Sequence, residues 1–187
     1  MPAYKFTREG IITRQEMEET LAKTNKLWLK ALVSFLYVFG VRISEALRLK
    51  KEDFVVEGDK LVVTVPLLKK RTSGPFTNPT HILKADLNTP FVNYIVEWIN
   101  QRQPGEFMWP LGRTWASVRK KAWMYIKELN PNVSPHIFRH TRLTKLALRG
   151  ATGPDLMDWA GWSDLRPATK YLHAAGKLAE KFSDKLD

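Results

Sequence analysis

The sequence contains no cysteine among its 187 residues. Disulfide bonds and zinc sites built on cysteine thiolates are therefore excluded. Long apolar runs are also absent, because no stretch approaches the roughly 20 apolar residues that a membrane-spanning helix needs. The first ten residues, MPAYKFTREG, lack the apolar core of a signal peptide. We therefore expect an intracellular protein of the cytoplasm or nucleoid, without a membrane partner.

Acidic residues are few: 19 Asp and Glu stand against 30 Lys and Arg, which gives a formal net charge of +11. Such an excess favours a polyanionic partner, with nucleic acid first, over a protein that is merely basic. Asp155 and Asp158 lie one helical turn apart, but no further acid joins them in a motif, as the hard cations of a metal-dependent nuclease would require. We interpret this pair as a solvated face and predict no metal or other cofactor.

The hydrophobic pattern predicts a mainly helical fold with one small antiparallel sheet. Residues 1–12 form a basic arm, 13–173 the main domain and 174–187 an amphipathic tail. Helices are predicted at 13–23, 26–39, 90–103, 114–129, 135–149 and from about 154 to 160, with a short helix capped by Ser44 and another around Tyr171. Strands are predicted at 54–56, 61–65 and 81–87, the first two joined by a turn at Gly58 and Asp59.

One predicted helix, which begins in SPHIFRHTRLT at 134–144, has two unlike faces. Ser134 is its N-cap and Pro135 its first residue. The residues Arg142, Lys145 and Arg149 form what we interpret as a solvated basic side. The opposite side carries His136, Arg139 and His140 beside Leu143, Leu146 and Ala147. A cationic cluster at a helix N-terminus favours an anionic ligand, although satisfied interior polar groups are the alternative.

Four segments taken in order resemble the catalytic domain of tyrosine recombinases, the phage-type integrases. They are VFGVRISEALRLKKEDF, LLKKRTSG after a strand, PHIFRHT, and AGWSDLRPATKYLH. The resemblance spans roughly residues 12–173 and implies cleavage and rejoining of double-stranded DNA without metal. The site residues it implies are Arg42, Lys69, His136, Arg139, Trp162 and Tyr171.

The chemistry of these side chains suits that reaction. Arginine neutralises the charge on nonbridging phosphate oxygens with a planar fork that stays protonated, which fits Arg42 and Arg139. A phenol has a pKa of about 10, so the nucleophile Tyr171 needs positive neighbours or a base. Its attack would form a 3′-phosphotyrosine and free a 5′-hydroxyl, as the resemblance implies. Taken alone, Tyr171 would be interpreted as a packing residue.

The proton-transfer roles leave alternatives open. Lys69 is expected to protonate the departing 5′-oxygen, with Lys70 as its close competitor, and His136 can assist proton transfer at Tyr171. Trp162 stands where many family members have histidine, and its indole N–H can only donate. Glu45 is expected to orient an arginine or histidine. We interpret His140 and His173 as structural residues.

The layout leaves little room for the DNA-clamping domain that precedes the catalytic domain in most family members. We therefore expect either a catalytic fragment or a minimal member, and the Gly-Trp-Ser form resembles archaeal and archaeal-virus integrases. A non-catalytic DNA-binding protein of this fold is a rival reading. The tail carries an apolar stripe of Leu172, Ala175, Leu178, Phe182 and Leu186, which docks either on its own domain or on a neighbour. We expect a monomer in free solution and a tetramer on DNA.

Overall fold

The computed structural model describes residues 11–68, 80–112 and 114–182. The first ten residues of the predicted arm lie outside this range, as does the end of the tail from residue 183. Lys69 and Lys70, with the rest of the predicted basic turn up to residue 79, also lie outside the described residues. Within the described chain no helix is both long enough and apolar enough to cross a membrane.

The described chain is mainly helical with one three-stranded antiparallel sheet, as predicted. The helices are α1 (Arg14–Ala22), α2 (Leu27–Phe39), α3 (Ile43–Ala46), α4 (Val92–Asn100), α5 (Trp115–Leu129), α6 (Pro135–Leu148), α7 (Gly153–Ala160) and α8 (Arg166–Phe182). A 3₁₀ turn at Lys51–Asp53 leads into the sheet, which has β1 (Phe54–Glu57), β2 (Lys60–Pro66) and β3 (Thr80–Asp86) in that order. Phe54 pairs with Val63, which pairs with Leu83 on the other side.

Helix α2 is the centre of the main hydrophobic core. Its sequence, LWLKALVSFLYVF, is apolar nearly all round, and such a helix must be buried. It packs against α4 and α6 and also contacts α3 and β3. Gly40 ends it with a left-handed backbone, φ +64°. A Cβ at Gly40 would lie only 2.7 Å from Cβ of Arg142, so both the backbone conformation and the space require glycine.

A second, smaller core joins α6, α7 and α8. It consists of Leu143, Leu156, Ala160, Ala168 and Tyr171. Gly161 ends α7, again with φ +64°, and a Cβ there would collide with Leu67 and lie 3.2 Å from Nδ1 of His81. The turn after α7 therefore sits directly against the end of the sheet, which fixes where Trp162 emerges.

Three details differ from the sequence prediction. Ser44 does not cap α3: Arg42 is the N-cap, and the Glu45 carboxylate accepts its backbone N–H. Tyr171 and the residues after it belong to one continuous helix, α8. On that helix Leu172 is exposed, and Tyr171 instead shares the buried stripe with Ala175.

The prediction of a solvated basic side on α6 is wrong for two of its three residues. Arg142 lies over the ring of Trp159, at 4.6 Å from its centroid, and its Nε is buried. Nζ of Lys145 donates to the hydroxyl of Tyr37 at 2.6 Å. Arg149 is exposed as expected. The cause is tertiary: Gly40 has no side chain, so Arg142 can lie across α2 instead of pointing into water.

Candidate active site

A cleft of about 1200 Å³ brings together side chains from α3, α5, α6, α8 and the turn after α7. Five of the six predicted catalytic residues line it, namely Arg42, His136, Arg139, Trp162 and Tyr171. The sixth, Lys69, lies outside the described residues. These groups come from the start of α3, from α6, from the turn after α7 and from α8, and Arg42 is about 94 positions before the next of them, so the fold itself assembles the cleft.

Arg42 is held by the carboxylate of Glu45. Its Nη1 donates to Oε1 of Glu45 at 2.7 Å, and its backbone N–H donates to Oε2 at 2.9 Å. The Glu45 side chain is 1% exposed, whereas that of Arg42 is 20% exposed. The carboxylate is thus fully occupied in orienting the guanidinium, which keeps an exposed edge at the cleft. This geometry matches the orienting role predicted for Glu45.

Arg139 is fixed by two main-chain carbonyls. Its Nη1 donates to the oxygen of Gly40 at 2.9 Å and its Nη2 to that of Ala160 at 3.0 Å. The residue is only 8% exposed. Burial, reinforced by the nearby charge of Arg42, lowers the pKa of Arg139 to about 10, so it stays protonated at neutral pH. Two positive charges thus face one cleft, and the Glu45 carboxylate pairs with only one of them, Arg42.

The Tyr171 ring lies between two other rings. Its centroid is 5.6 Å from that of Trp162 in a stacked arrangement, and 5.4 Å from that of His140. Nζ of Lys170 lies 4.7 Å from the same centroid. Tyr171 is 4% exposed, so this packing confines the ring to one position in the cleft wall.

The two histidines of α6 have different surroundings. His136, in the first turn, is exposed in the cleft, so it does not lie on the apolar side as the helical pattern suggested. His140 is half-buried against Tyr171, and burial, with the charge of Lys170 second, lowers its pKa. The lowered pKa favours the neutral form of the His140 imidazole.

Sequence reasoning missed two parts of this site. One side of α5 lines the cleft with Arg119, Lys120, Trp123, Met124 and Lys127. The mixture of cations and aromatic residues in WASVRKKAWMYIK was the available signal, since that mixture is typical of surfaces that bind nucleic-acid backbones. His81, the other missed residue, lies against Gly161 from β3. Burial lowers the pKa of His81, which makes it a neutral support for the turn that carries Trp162.

Asp155 and Asp158, the two carboxylates considered for a metal-dependent nuclease, lie on α7. The Asp155 carboxylate accepts the backbone N–H and the hydroxyl of Thr152, each at 2.7 Å, and so caps α7. Asp158 is exposed on the same helix. Within the described part of the chain, no three His, Asp or Glu side chains are grouped so that they could hold a metal ion.

Comparison with known proteins identifies the family of the chain. The sequence model of the phage integrase family matches residues 11–177. The chain belongs to the phage integrase family. The match includes all five described catalytic candidates and also the segment that holds Lys69.

The sequence identity between this chain and individual proteins is low. Tyrosine recombinase XerC of Bacillus licheniformis is 26% identical over 193 residues, which cover 95% of this chain and 58% of that protein. This chain thus spans less than two thirds of the length of XerC. Among solved structures, XerA recombinase has a TM-score of 0.69 at 17% identity, with coverage of 95% of this chain and 65% of that chain. XerH recombinase bound to its difH substrate has a TM-score of 0.64 at 16% identity, with coverage of 95% and 53%. These structures show the fold, and the resemblance to archaeal members stays a prediction.

Proposed function

We propose that this chain is the catalytic domain of a site-specific DNA recombinase that works through a covalent phosphotyrosine. The observation that carries the proposal is the placement of Arg42, Arg139 and Tyr171 in one cleft, with both guanidinium groups fixed by the protein. Preorganised cations of this kind stabilise charge that develops on phosphate oxygens in the transition state.

In the proposed reaction the phenolic oxygen of Tyr171 attacks a DNA phosphorus. The new O–P bond forms as the bond to the 5′-oxygen breaks, and the phenolic proton leaves to a base, for which His136 is the candidate. The departing 5′-oxygen takes a proton from Lys69, or from Lys70. The reverse reaction with a new 5′-hydroxyl rejoins the strand, so the number of phosphodiester bonds is conserved. Trp162 contributes an indole N–H donor and the ring that stacks on Tyr171.

Double-stranded DNA is the proposed substrate. The net charge of +11 favours it, and the basic and aromatic side of α5 gives the cleft a second wall beside the catalytic groups. Two family likenesses support the same partner: the XerH structure contains its difH substrate, and a Tn1549 transposon integrase structure contains circular intermediate DNA, with 21% identity and a TM-score of 0.56.

The test is to trap the covalent intermediate. In a pool of nicked duplexes with randomised sequence around the nick, the short fragment that carries the new 5′-hydroxyl diffuses away after cleavage, which prevents religation. We expect a protein–DNA adduct that withstands denaturant, forms equally in excess EDTA, and maps to Tyr171 by peptide mass spectrometry. An adduct on another residue, or cleavage that EDTA abolishes, would contradict the proposal.

Assembly is a further part of the proposal: the chain is a monomer in free solution and forms a tetramer only on DNA. A high positive charge opposes self-association until DNA neutralises it. Ala175 is buried against the same chain, while Leu178, one turn further along α8, is only half-buried. We propose that the apolar stripe beyond Ala175 docks on a neighbouring molecule in the assembled state.

The double substitution Leu178→Asp and Phe182→Asp tests this docking. We expect a folded monomer whose melting temperature is little changed but whose cooperative assembly on paired DNA sites is reduced, as seen by gel mobility and light scattering. The single substitution Lys177→Asp, on the exposed side of α8, is the control for added negative charge. Unfolding of the isolated double variant would instead show that the tail docks on its own domain.

A further inference from the structure

A second cavity, of about 390 Å³, lies on the other flank of α6 from the candidate active site. It shares no lining residue with the cleft. Its walls come from α1, α2, α6 and the loop before α4. The lining residues that matter here are Arg14, Tyr37, Phe91, Arg142, Lys145 and Arg149, and we call this cavity the rear pocket.

The rear pocket concentrates more positive than negative charge. Arg14 is paired with Glu18 at 2.9 Å, at the exposed rim. Among the described residues, Arg142, Lys145 and Arg149 have no carboxylate within the 4.0 Å of an ion pair. Within the described ranges, no acidic residue lines the pocket. The acids nearest to these cations are on α1: Glu18 is paired with Arg14, and Glu16 acts on Lys145 from beyond ion-pair distance. Three neighbouring cations that outnumber their counter-charges at a partly buried site favour the entry of an anion.

Arg142 and Lys145 are both partly buried, which disfavours their charged forms. The Nε of Arg142 is buried and has no hydrogen-bond partner in the described structure. Burial lowers the pKa of Arg142 to about 10 and that of Lys145 to about 8, and in both cases neighbouring arginines add to the effect. Stacking of Arg142 on Trp159 and the hydrogen bond from Lys145 to Tyr37 hold these groups in place but do not neutralise them.

The loop before α4 adds to the positive electrostatic potential of the rear pocket. Phe91 has φ +73°, a strained conformation for a bulky residue, and its ring packs edge-on against Tyr37 at 5.6 Å. Strained residues concentrate at ligand sites, where the surrounding structure holds them. Helix α4 starts directly after Phe91 without a side-chain cap, so the positive end of its dipole is at the rim of the pocket.

We propose that the rear pocket binds a phosphate group. A tetrahedral oxyanion offers separate oxygens to the guanidinium of Arg142 and the ammonium of Lys145, whereas a chloride ion is a single acceptor atom that the two groups must share. Two sources carry this chemistry: a backbone phosphate of DNA that continues past the cleft, and a free phosphate such as inorganic phosphate or a mononucleotide. The apolar surfaces of Phe91 and Val38 leave room for more than the phosphate alone.

The site is coupled to the active-site cleft through Gly40. Arg139 donates to the Gly40 carbonyl, and the side chain of Arg142 packs on the Cα of the same glycine. Arg42 follows only two residues later. A phosphate that holds Arg142 therefore stabilises the turn that positions both active-site arginines.

The experiment is a phosphate titration at constant ionic strength, monitored by the NMR signals of the lysine Cε groups and by melting temperature. We expect the Lys145 signal to shift with saturable binding. Lys145→Met should weaken that binding by about tenfold, the value of one charge-assisted contact. Lys23→Met, at the exposed end of α1, removes the same charge elsewhere and should bind phosphate as the unmodified chain does.

Competition separates the two sources of phosphate. Displacement of inorganic phosphate from Lys145 by a short DNA duplex indicates a backbone contact, whereas displacement by a mononucleotide and not by the duplex indicates a free ligand. If the Lys145 signal does not move, or if phosphate raises the melting temperature of Lys145→Met as much as that of Lys23→Met, then the rear pocket does not bind phosphate and the proposal is wrong. These outcomes do not depend on DNA cleavage, so they are independent of the proposed recombinase activity.

Discussion

Tyr171→Phe should give a folded protein that forms no covalent adduct with DNA. The substitution keeps the aromatic ring that stacks between Trp162 and His140 and that belongs to the second core. It removes only the hydroxyl oxygen, which is the atom that would attack phosphorus. Because ring packing is retained, we expect the free energy of unfolding to change by less than about 1 kcal/mol. In a domain of this size, that shifts the melting temperature by a few degrees at most.

The decisive measurement is the amount of adduct on the nicked duplex pool, compared at equal occupancy of DNA. Binding should persist in the Phe variant because backbone contacts from many cations dominate affinity. Tyr94→Phe, on α4 outside the cleft, removes a hydroxyl of the same kind and should leave adduct formation unchanged. An adduct that survives in the Tyr171→Phe protein would assign the nucleophile to another residue.

The helices and strands could be predicted because their signals are local. Thr13 and Glu16 form the capping box read from the sequence, Gly40 ends α2, and Ser134 with Pro135 starts α6. Each depends on residues within one turn of the position in question. The residues of the candidate site could also be predicted, but only because four segments of the sequence resemble a known family in the same order. Arg42, Arg139 and Tyr171 are separated by 97 and 32 positions, and no local pattern joins them.

The remaining features depend on contacts between distant segments. Arg142 and Lys145 have the spacing of a solvated helix side, yet Gly40 and Tyr37 of α2 give them a place to pack. Either Tyr171 or Leu172 can face the core, depending on how α8 is rotated about its axis against α6. The sequence alone does not show that rotation, and the structure buries Tyr171. The role of His81 is likewise visible only once β3 lies beside the turn at Gly161.

The pair of Arg42 and Glu45 allows structural and catalytic roles to be separated. Arg42→Ala should lower the rate of cleavage by about 10²–10³-fold, the range found when one preorganised donor to a developing oxyanion is removed. It should also destabilise the fold, because Glu45 is 1% exposed and loses the guanidinium that balances its charge. Breaking a buried pair in this way costs about 3–5 kcal/mol, and the partial exposure of Arg42 places the expected value at or below the lower end of that range.

A second substitution removes the structural part of the effect. In the double variant Arg42→Ala with Glu45→Gln, no uncompensated charge is left, and the amide oxygen can still accept the backbone N–H at position 42. We expect thermal stability to recover substantially while cleavage stays low. Measured DNA affinity should fall much less than cleavage in both variants, because Arg42 is one of many cations that contact the backbone. Recovery of cleavage together with stability would mean that Arg42 acts only by holding Glu45, and equal losses in affinity and rate would make it an ordinary DNA contact.

At Arg139, a conservative substitution separates the charge of the side chain from its orientation. Arg139→Lys keeps the charge, but a single ammonium cannot reach both the Gly40 and Ala160 carbonyls with the geometry of the guanidinium fork. We expect a loss of cleavage comparable to that of Arg42→Ala, with a cost in stability of about 1–3 kcal/mol for a buried carbonyl left unpaired. Lys120→Arg, on the α5 wall of the cleft, exchanges the same two residue types without touching a carbonyl in the core and should cleave normally. If Arg139→Lys cleaved as fast as the unmodified protein, positive charge alone would suffice at this position, and the fixed orientation imposed by the two carbonyls would have no part in catalysis.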